Sequence, residues 1–520
     1  MSHDLNALAR GVIAVGLAGT TPAQAPLEEL RAFAPGATIL FARNVGTTAE
    51  LRELIAALRA GGSPPPLVTI DQEGGRVARI GEGVAQLPAA MAVGASGDPE
   101  LAGRLGTLLG RDLARLGISV DLAPVADLAL QPRSRVIATR AYGDDPERVA
   151  AFVTAFAQGL ERGGVAAAIK HFPGHGSTAE DSHVALPRVA VDAATLRARD
   201  LVPFARALAS GAPSLVMTAH VVLEAFDPVR PATLSPAILT GLLREELGYS
   251  GVVATDCLEM DAIANGIGTV EGAVQALAAG ADLLFISHRL ELARAAADAI
   301  AAAVRDGRVP RARLEEAHAR VLALRERYAT PAPFAAPLDE AAPLDAARRA
   351  VTVVRGDPRL RPEAPVTVIS FEGTLVDNVA ASGGRSGGAA APSLSAELRR
   401  RRWKSELMRV PLEPDVDDVD LLLEHIPRLG EREFVVVTRD AHLHPAQREA
   451  IARIVALAPH ALIVSARAPF DALLWPSARR VVCIYGDQQL AFEGCADVLG
   501  GDAQARGVLP VRLAENAAVH

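Results

Sequence analysis

Cysteine is nearly missing from this sequence. Its three thiols, Cys257, Cys483 and Cys495, are odd in number and show no C-x-x-C spacing, which excludes a disulfide framework and a zinc ribbon and fits a reducing compartment. Lysine is scarcer still: Lys170 and Lys404 stand alone among 53 basic residues, the rest being arginine. No stretch approaches the roughly 20 uninterrupted apolar residues that a membrane span needs. Asp4 ahead of the short apolar run Gly11–Gly19 lacks the basic start and small-residue cleavage site of a secretory signal. Nor is there a basic excess: the net charge is −8, leaving phosphate-backbone binding without electrostatic support. These absences point to a cytoplasmic protein with neither a membrane nor a nucleic-acid partner.

What is present is apolar material in a regular order. Half of the 520 residues are hydrophobic and 22% are charged, the profile of a globular chain with enough apolar mass for a large core; the length suggests two domains. Short apolar runs recur eight times, at Gly11–Leu17, Ala37–Ala42, Leu67–Asp71, Ile118–Pro124, Val165–His171, Leu215–His220, Val252–Asp256 and Asp282–Ser287. Near-continuous apolarity means burial on both faces. Between them lie segments with helical spacing: Thr48–Ala60, Pro99–Leu116, Pro146–Arg162, Leu196–Ala209 and Pro236–Leu247. Eight strand–helix alternations predict a closed (β/α)8 TIM barrel, with an open doubly wound sheet as the alternative. Asp71, Lys170, His171, His220, Asp256 and Ser287 fall at the C-terminal ends of the strands, the face where barrel enzymes gather their sites. Chains also turn polar wherever strands end, so each of these residues taken alone has a bland explanation.

Pro and Ala crowd the stretch from Tyr328 to Leu344, marking a linker. The predicted division is a barrel over residues 1–335, a linker over 336–345 and a second α/β domain over 346–520. Candidate strands of that second domain are Val366–Phe371, Phe434–Thr438, Leu462–Ser465 and Val481–Tyr485, with a helix at Pro445–Leu457. Its small-residue loop, Ala381–Pro392, lacks G-x-G-x-x-G and P-loop spacing, which argues against a nucleotide site.

The stretch richest in chemistry is Lys170-His171-Phe172-Pro173-Gly174-His175-Gly176, followed by Asp181-Ser182-His183. Pro173 and two glycines preclude a helix, so the segment is free to fold over the barrel mouth. Lys170 offers a compact ammonium where this chain otherwise uses arginine, suited to donating hydrogen bonds from a point. Asp181 and His183 are candidates for a carboxylate–imidazole pair that moves a proton near neutral pH. The rival is a metal site from His171, His175, His183 and Asp181; with no H-E-x-x-H pattern and no cysteine nearby, no metal and no cofactor is expected. Further on, Gly251-Val252-Val253-Ala254-Thr255-Asp256 ends a buried strand in a carboxylate placed for nucleophilic attack, unless it merely caps a helix.

Together these residues resemble glycoside hydrolase family 3 in its β-N-acetylglucosaminidase branch. The K-H-F-P-G-H-G-x4-D-S-H signature stands complete at Lys170–His183, alongside Ile70-Asp71-Gln72-Glu73-Gly74-Gly75-Arg76-Val77 and the segment ending at Asp256. The resemblance covers residues 1 to about 330; the second domain is similar to the C-terminal α/β sandwich domain that some members carry. It implies Asp256 as nucleophile, His183 as acid/base partnered by Asp181, and sugar contacts from Asp71, Arg79, Arg140, Lys170 and His171. Ala138, close to Arg140, stands where the family usually has glycine. The implied activity is retaining hydrolysis of terminal β-linked GlcNAc from a muropeptide or chitooligosaccharide. Three alternatives stay open: a GlcNAc phosphorylase, a family 3 β-glucosidase or β-xylosidase, and a non-catalytic muropeptide-binding protein.

Overall fold

In a computed structural model of the protein, residues 4–178, 186–330, 337–373 and 391–513 are described. The eight apolar runs are eight strands: β1 (Ile13–Gly16), β2 (Ala37–Leu40), β3 (Leu67–Ile70), β4 (Val120–Asp121), β5 (Ala166–Phe172), β6 (Leu215–Thr218), β7 (Val252–Ala254) and β8 (Leu284–Ile286). All are parallel, and each pairs with its neighbour in the chain from β1 to β7. What separates a barrel from an open sheet is the pairing of the last strand. β8 lies beside β1, with Ile13 opposite Leu284, and the β7–β8 seam is narrow: Ala254 bridges Leu283, Thr255 N donates to Leu283 O at 2.9 Å, and Asp282 N to Val253 O at 2.7 Å. The ring is therefore nearly closed, and its interior is packed by Ile39, Phe41, Leu122, Met217 and Phe285. Val321, Leu324 and Tyr328, from the end of helix Arg311–Arg327 and the residue that caps it, belong to the same apolar cluster.

Outer helices begin where the sequence supplies caps. Asp98 and Asp145 each accept a backbone N–H from the first turn of Pro99–Leu116 and Pro146–Gly163, with proline opening both helices. The segment Leu196–Ala209 is not one helix but two, Ala193–Ala198 and Val202–Ala209, broken at Arg199. Pro203 explains the break: without an N–H it cannot bond the carbonyl four residues back.

The second domain is a six-stranded sheet. To β10 (Val366–Glu372), β12 (Glu433–Thr438), β13 (Leu462–Ser465) and β14 (Arg480–Cys483), which match the four candidate strands, it adds β9 (Thr352–Arg355) and β11 (Ser405–Pro411). The order is β9-β14-β13-β12-β10-β11, so the two additions are its edges. Apolar clusters on both faces bury the sheet between layers of helices. Helix Ala342–Ala350 starts within the segment expected as linker. The two sheets share packing, since Met91, Ala92 and Ala95 of the barrel side join the core of the second sheet.

A buried carboxylate holds the closing seam. Asp282, fully buried just before β8, accepts Val253 N at 2.9 Å and Arg244 Nη2 at 2.5 Å through Oδ2, while Oδ1 takes Arg313 Nη2 and, at 3.2 Å, Arg320 Nη1. Removing the charge takes from the Arg244 guanidinium, 13% exposed, its ion-pair partner among the described residues, while Arg313 and Arg320 keep Glu316; stranding a largely buried cation costs about 3 kcal/mol or more. Asp282→Asn is therefore expected to lower unfolding free energy by that amount in urea titration; a loss below about 1 kcal/mol, the scale of an exposed pair, would contradict this role.

Candidate active site

The strands deliver polar side chains to one mouth of the barrel, where a cavity of about 330 Å³ is lined by Asp71, Glu73, Arg79, Arg140, Lys170, His171, His175 and Asp256 among others. Asp71 directly follows β3. The chain then reverses through Gly74 and Gly75 at φ 97° and 57°, a left-handed turn that favours glycine; a Cβ at Gly74 would also stand 2.9 Å from Leu87 Cβ and Pro88 O. That reversal brings Val77 and Arg79 back to the mouth beside Asp71 and Glu73. Lys170 and His171 sit at the end of β5.

These charges pair with one another. Lys170 Nζ lies 2.6 Å from both Asp71 Oδ1 and Glu73 Oε1, its side chain 2% exposed. Arg140 holds Glu73 in a fork, Nε at 2.9 Å and Nη2 at 2.8 Å, and Arg79 Nη2 approaches Asp71 Oδ2 at 3.8 Å. Burial works against the Glu73 carboxylate, but Arg140 and Lys170 hold its pKa far below the ordinary range. Burial likewise opposes the Lys170 charge, and Asp71 and Glu73 overcome it, raising the pKa. Glu73, Lys170 and Arg140 are thus all held in their charged forms. An ammonium has three donors, and Asp71 and Glu73 take two of those of Lys170 among the described residues.

A second polar cluster fixes the imidazoles. Asp127 Oδ2 lies 2.6 Å from His171 Nδ1 and accepts His171 N at 3.2 Å, and its Oδ1 accepts His175 N at 2.6 Å. Burial would raise this carboxyl, yet His171 and the backbone donors keep it below the ordinary value. With Nδ1–H given to Asp127, His171 in its neutral form turns the Nε2 lone pair outward, 3.5 Å from Arg140 Nη2. His175 is neutral, burial pushing its pKa down to about 4, and its Nδ1 meets Thr178 Oγ1 at 2.6 Å. Gly176 is required by close approach, since a Cβ there would fall 2.0 Å from Leu128 O.

Of the residues singled out in the sequence, Asp71, Arg79, Arg140, Lys170, His171, Asp256 and Ser287 line the one cavity. No helix starts at Asp256; its Oδ1 accepts Cys257 N at 2.7 Å, and the next helix begins at Asp261. His220 does not reach the cavity: it is buried, with Nδ1 at 2.8 Å from Thr233 Oγ1 and Nε2 at 3.0 Å from Cys257 O, bracing the residue after Asp256. Asp181 and His183 lie outside the described residues. Glu73 and Asp127 were not singled out, although the first stands inside the Asp71–Val77 motif. Cys257, Glu259 and His288 line the same cavity and carry metal-ligating atoms.

The second domain reaches the loops that carry these groups. His442 Nε2 meets Pro132 O at 3.0 Å and its Nδ1 meets buried Asp471 at 2.8 Å. Asp144 N donates to Pro510 O at 3.1 Å, and Arg512 N to Asp144 Oδ2 at 2.8 Å. These contacts grip the segment bearing Arg140 on both sides of it. Arg76, three residues from Glu73, feels Arg467, Asp440 and Asp487 of the second domain.

Comparison with known proteins agrees with this geometry. The glycosyl hydrolase family 3 N-terminal domain matches residues 11–324. A β-hexosaminidase of Xylella fastidiosa (strain 9a5c) is 41% identical over 297 residues, covering 56% of this chain and 87% of that protein. A solved glycoside hydrolase family 3 β-N-acetylglucosaminidase from Paenibacillus sp. str. FPU-7 superposes with a TM-score of 0.91 at 35% identity, over 99% of this chain and 100% of its own. NagZ from Neisseria gonorrhoeae, in complex with N-trifluoroacetyl-D-glucosamine, matches 61% of this chain and 98% of its own, with a TM-score of 0.51 and 32% identity.

Beneath the paired charges, Asp121 is fully buried; its Oδ1 accepts Gln72 N at 2.9 Å, and its Oδ2 has no partner among the described groups. Burial raises its pKa well above the ordinary value, so the folded protein keeps this proton after an unfolded aspartate, near pKa 3.9, has lost it. Over that window the folded state binds more protons than the unfolded state, and the group's contribution to stability falls as pH rises. Asp121→Asn should therefore gain in Tm relative to wild type as pH climbs from about 4 through neutral. A constant Tm difference across the window would refute a protonated Asp121.

Proposed function

The chain belongs to glycosyl hydrolase family 3 and is a glycoside hydrolase, and we propose that it is a retaining exo-β-N-acetylglucosaminidase releasing terminal, non-reducing β-linked GlcNAc. The observation that carries this is the placing of Asp256 at the end of β7, in the same enclosed cavity as the ion-paired Asp71, Arg79, Lys170 and Arg140. Such pairs present donors and acceptors together, which is what a ring of hydroxyls and an N-acetyl group require. His171, its ring held by Asp127 at Nδ1, presents Nε2 to the same cavity. The similarity to β-hexosaminidases and to a β-N-acetylglucosaminidase supports the substrate class.

In the first step the Asp256 carboxylate attacks the anomeric carbon. As that bond forms, the bond to the leaving glycosidic oxygen breaks, and His183, protonated and partnered by Asp181, gives the oxygen its proton. The product is a glycosyl ester on Asp256. In the second step His183 takes a proton from water, whose oxygen displaces Asp256 and restores the original anomeric configuration. A proton transfer of this kind is worth about 10²–10⁴-fold in rate. We place the enzyme in a bacterial cytoplasm, working on GlcNAc-terminated fragments of peptidoglycan; the three free thiols, Cys257, Cys483 and Cys495, persist in a reducing compartment.

Asp256→Asn is expected to cut kcat on nitrophenyl β-GlcNAc by about 10³-fold or more, the scale of losing a covalent nucleophile, with Tm nearly unchanged. Nitrophenyl β-glucoside should turn over poorly beside the GlcNAc substrate. Labelling of another residue by a fluorinated GlcNAc trapping reagent, or equal turnover of the two substrates, would sink the assignment.

A further inference from the structure

Three metal-ligating side chains that glycoside cleavage does not use converge on the wall of the cavity. Cys257 and Glu259 follow β7, and His288 follows β8. The sulfur, a carboxylate oxygen and an imidazole nitrogen all lie within 4.8 Å of one another, and all three residues line the cavity. Their backbones are tied together: Leu258 N donates to Phe285 O at 2.9 Å, His288 N donates to Glu259 Oε2 at 2.6 Å, and Cys257 O meets His220 Nε2 at 3.0 Å. The ligand atoms are thus presented by fixed loops at the barrel seam.

We propose that Cys257, Glu259 and His288 bind a soft divalent cation of the zinc type, and that the bound cation inhibits the enzyme. Thiolate, imidazole and carboxylate are the ordinary zinc donors, and three protein ligands leave a coordination position open to the cavity. Bonds of about 2.0–2.3 Å at tetrahedral angles space ligand atoms roughly 3.3–3.7 Å apart. Closing the triplet therefore takes about 1 Å of movement, within reach of ordinary side-chain torsions at the exposed His288. The charges balance: ligation deprotonates the thiol, and thiolate plus carboxylate neutralise the dication. Two arginines stand nearby. Arg43 is held by Leu17 O at 3.2 Å and Ser287 O at 3.0 Å, over the Phe41 ring. Arg289, 2.9 Å from Glu259 Oε1 with its side chain 55% exposed, can swing into solvent. Cys257 adjoins Asp256, so the cation draws electron density from that carboxylate and takes up room a sugar would fill. The inhibitory part rests on the proposed function; binding does not.

Titrating the full chain with Co²⁺ should produce a thiolate-to-cobalt charge-transfer absorption that Cys257→Ser abolishes, since Cys483 and Cys495 are fully buried elsewhere. Calorimetry with Zn²⁺ should show one site, weakened about tenfold or more by Cys257→Ser and by His288→Gln. Nitrophenyl β-GlcNAc turnover should fall as that site fills, recover with a chelator, and resist Zn²⁺ in His288→Gln. A missing absorption band, or Zn²⁺ affinity that survives both substitutions, overturns the site. Turnover that saturating Zn²⁺ leaves untouched overturns the inhibition.

Discussion

A lysine ammonium stripped of water inside a barrel mouth is tolerable only between carboxylates, and the site is organised around that requirement. Two charges removed from water cost several kcal/mol each unless the pairing is close and the remaining hydrogen-bond positions are used. Lys170 meets Asp71 and Glu73 at 2.6 Å, but two carboxylates around one ammonium leave a negative excess. Arg140, forked onto Glu73, and Arg79, near Asp71, redress it. Asp121 lies directly beneath, where burial first and the charges of Asp71 and Glu73 after it push its pKa well above the ordinary value. The tight Gly74-Gly75 turn is what brings Arg79 back beside Asp71 to complete the lattice. What results is a set of fixed dipoles arranged before any ligand arrives, the condition under which electrostatic stabilisation costs no reorganisation during reaction.

The barrel alone does not hold that lattice rigid. Arg140 and Glu73 both ride on segments outside the barrel strands, and such segments are the mobile part of a (β/α)8 scaffold. The second domain contacts both of them. His442 and the Pro510–Arg512 stretch reach the chain around Arg140, while Arg467, Asp440 and Asp487 stand against Arg76 on the turn that presents Glu73. His442 has an acceptor at each ring nitrogen, Asp471 and the Pro132 carbonyl. Both nitrogens must therefore donate, and its raised pKa agrees with a charged ring despite burial. A charged imidazole spanning two domains is a directional tie, so the second domain acts on the pocket through the loops rather than by lining it.

Which parts of this were legible in the sequence follows from how far each residue's role depends on others. The eight barrel strands were readable because burial on both faces leaves an apolar run that needs no partner to interpret. Four central strands of the second sheet were readable for the same reason. Its two edges, Thr352–Arg355 and Ser405–Pro411, were not: an edge strand is partly solvated, and the burial of Ser405–Pro411 is correspondingly patchy. The break in the Leu196–Ala209 helix was available in Pro203, but apolar spacing continues across it and masks the stop.

The site divides in the same way. Lys170 and Asp256 announced themselves, one by its rarity and the other by ending an apolar run in a charge. Glu73 and Asp127 did not, because each acts on a side chain far away in the chain: Glu73 on Arg140, 67 residues on, and Asp127 on His171, 44 residues on. His220 shows the converse error, since a polar residue just past a strand looks like site chemistry until its ring is found bonded to Thr233 and the Cys257 carbonyl. Position at a strand end is thus a property of the local chain, and convergence on a ligand is a property of the closed barrel. Only the second decides which of these groups meets the sugar.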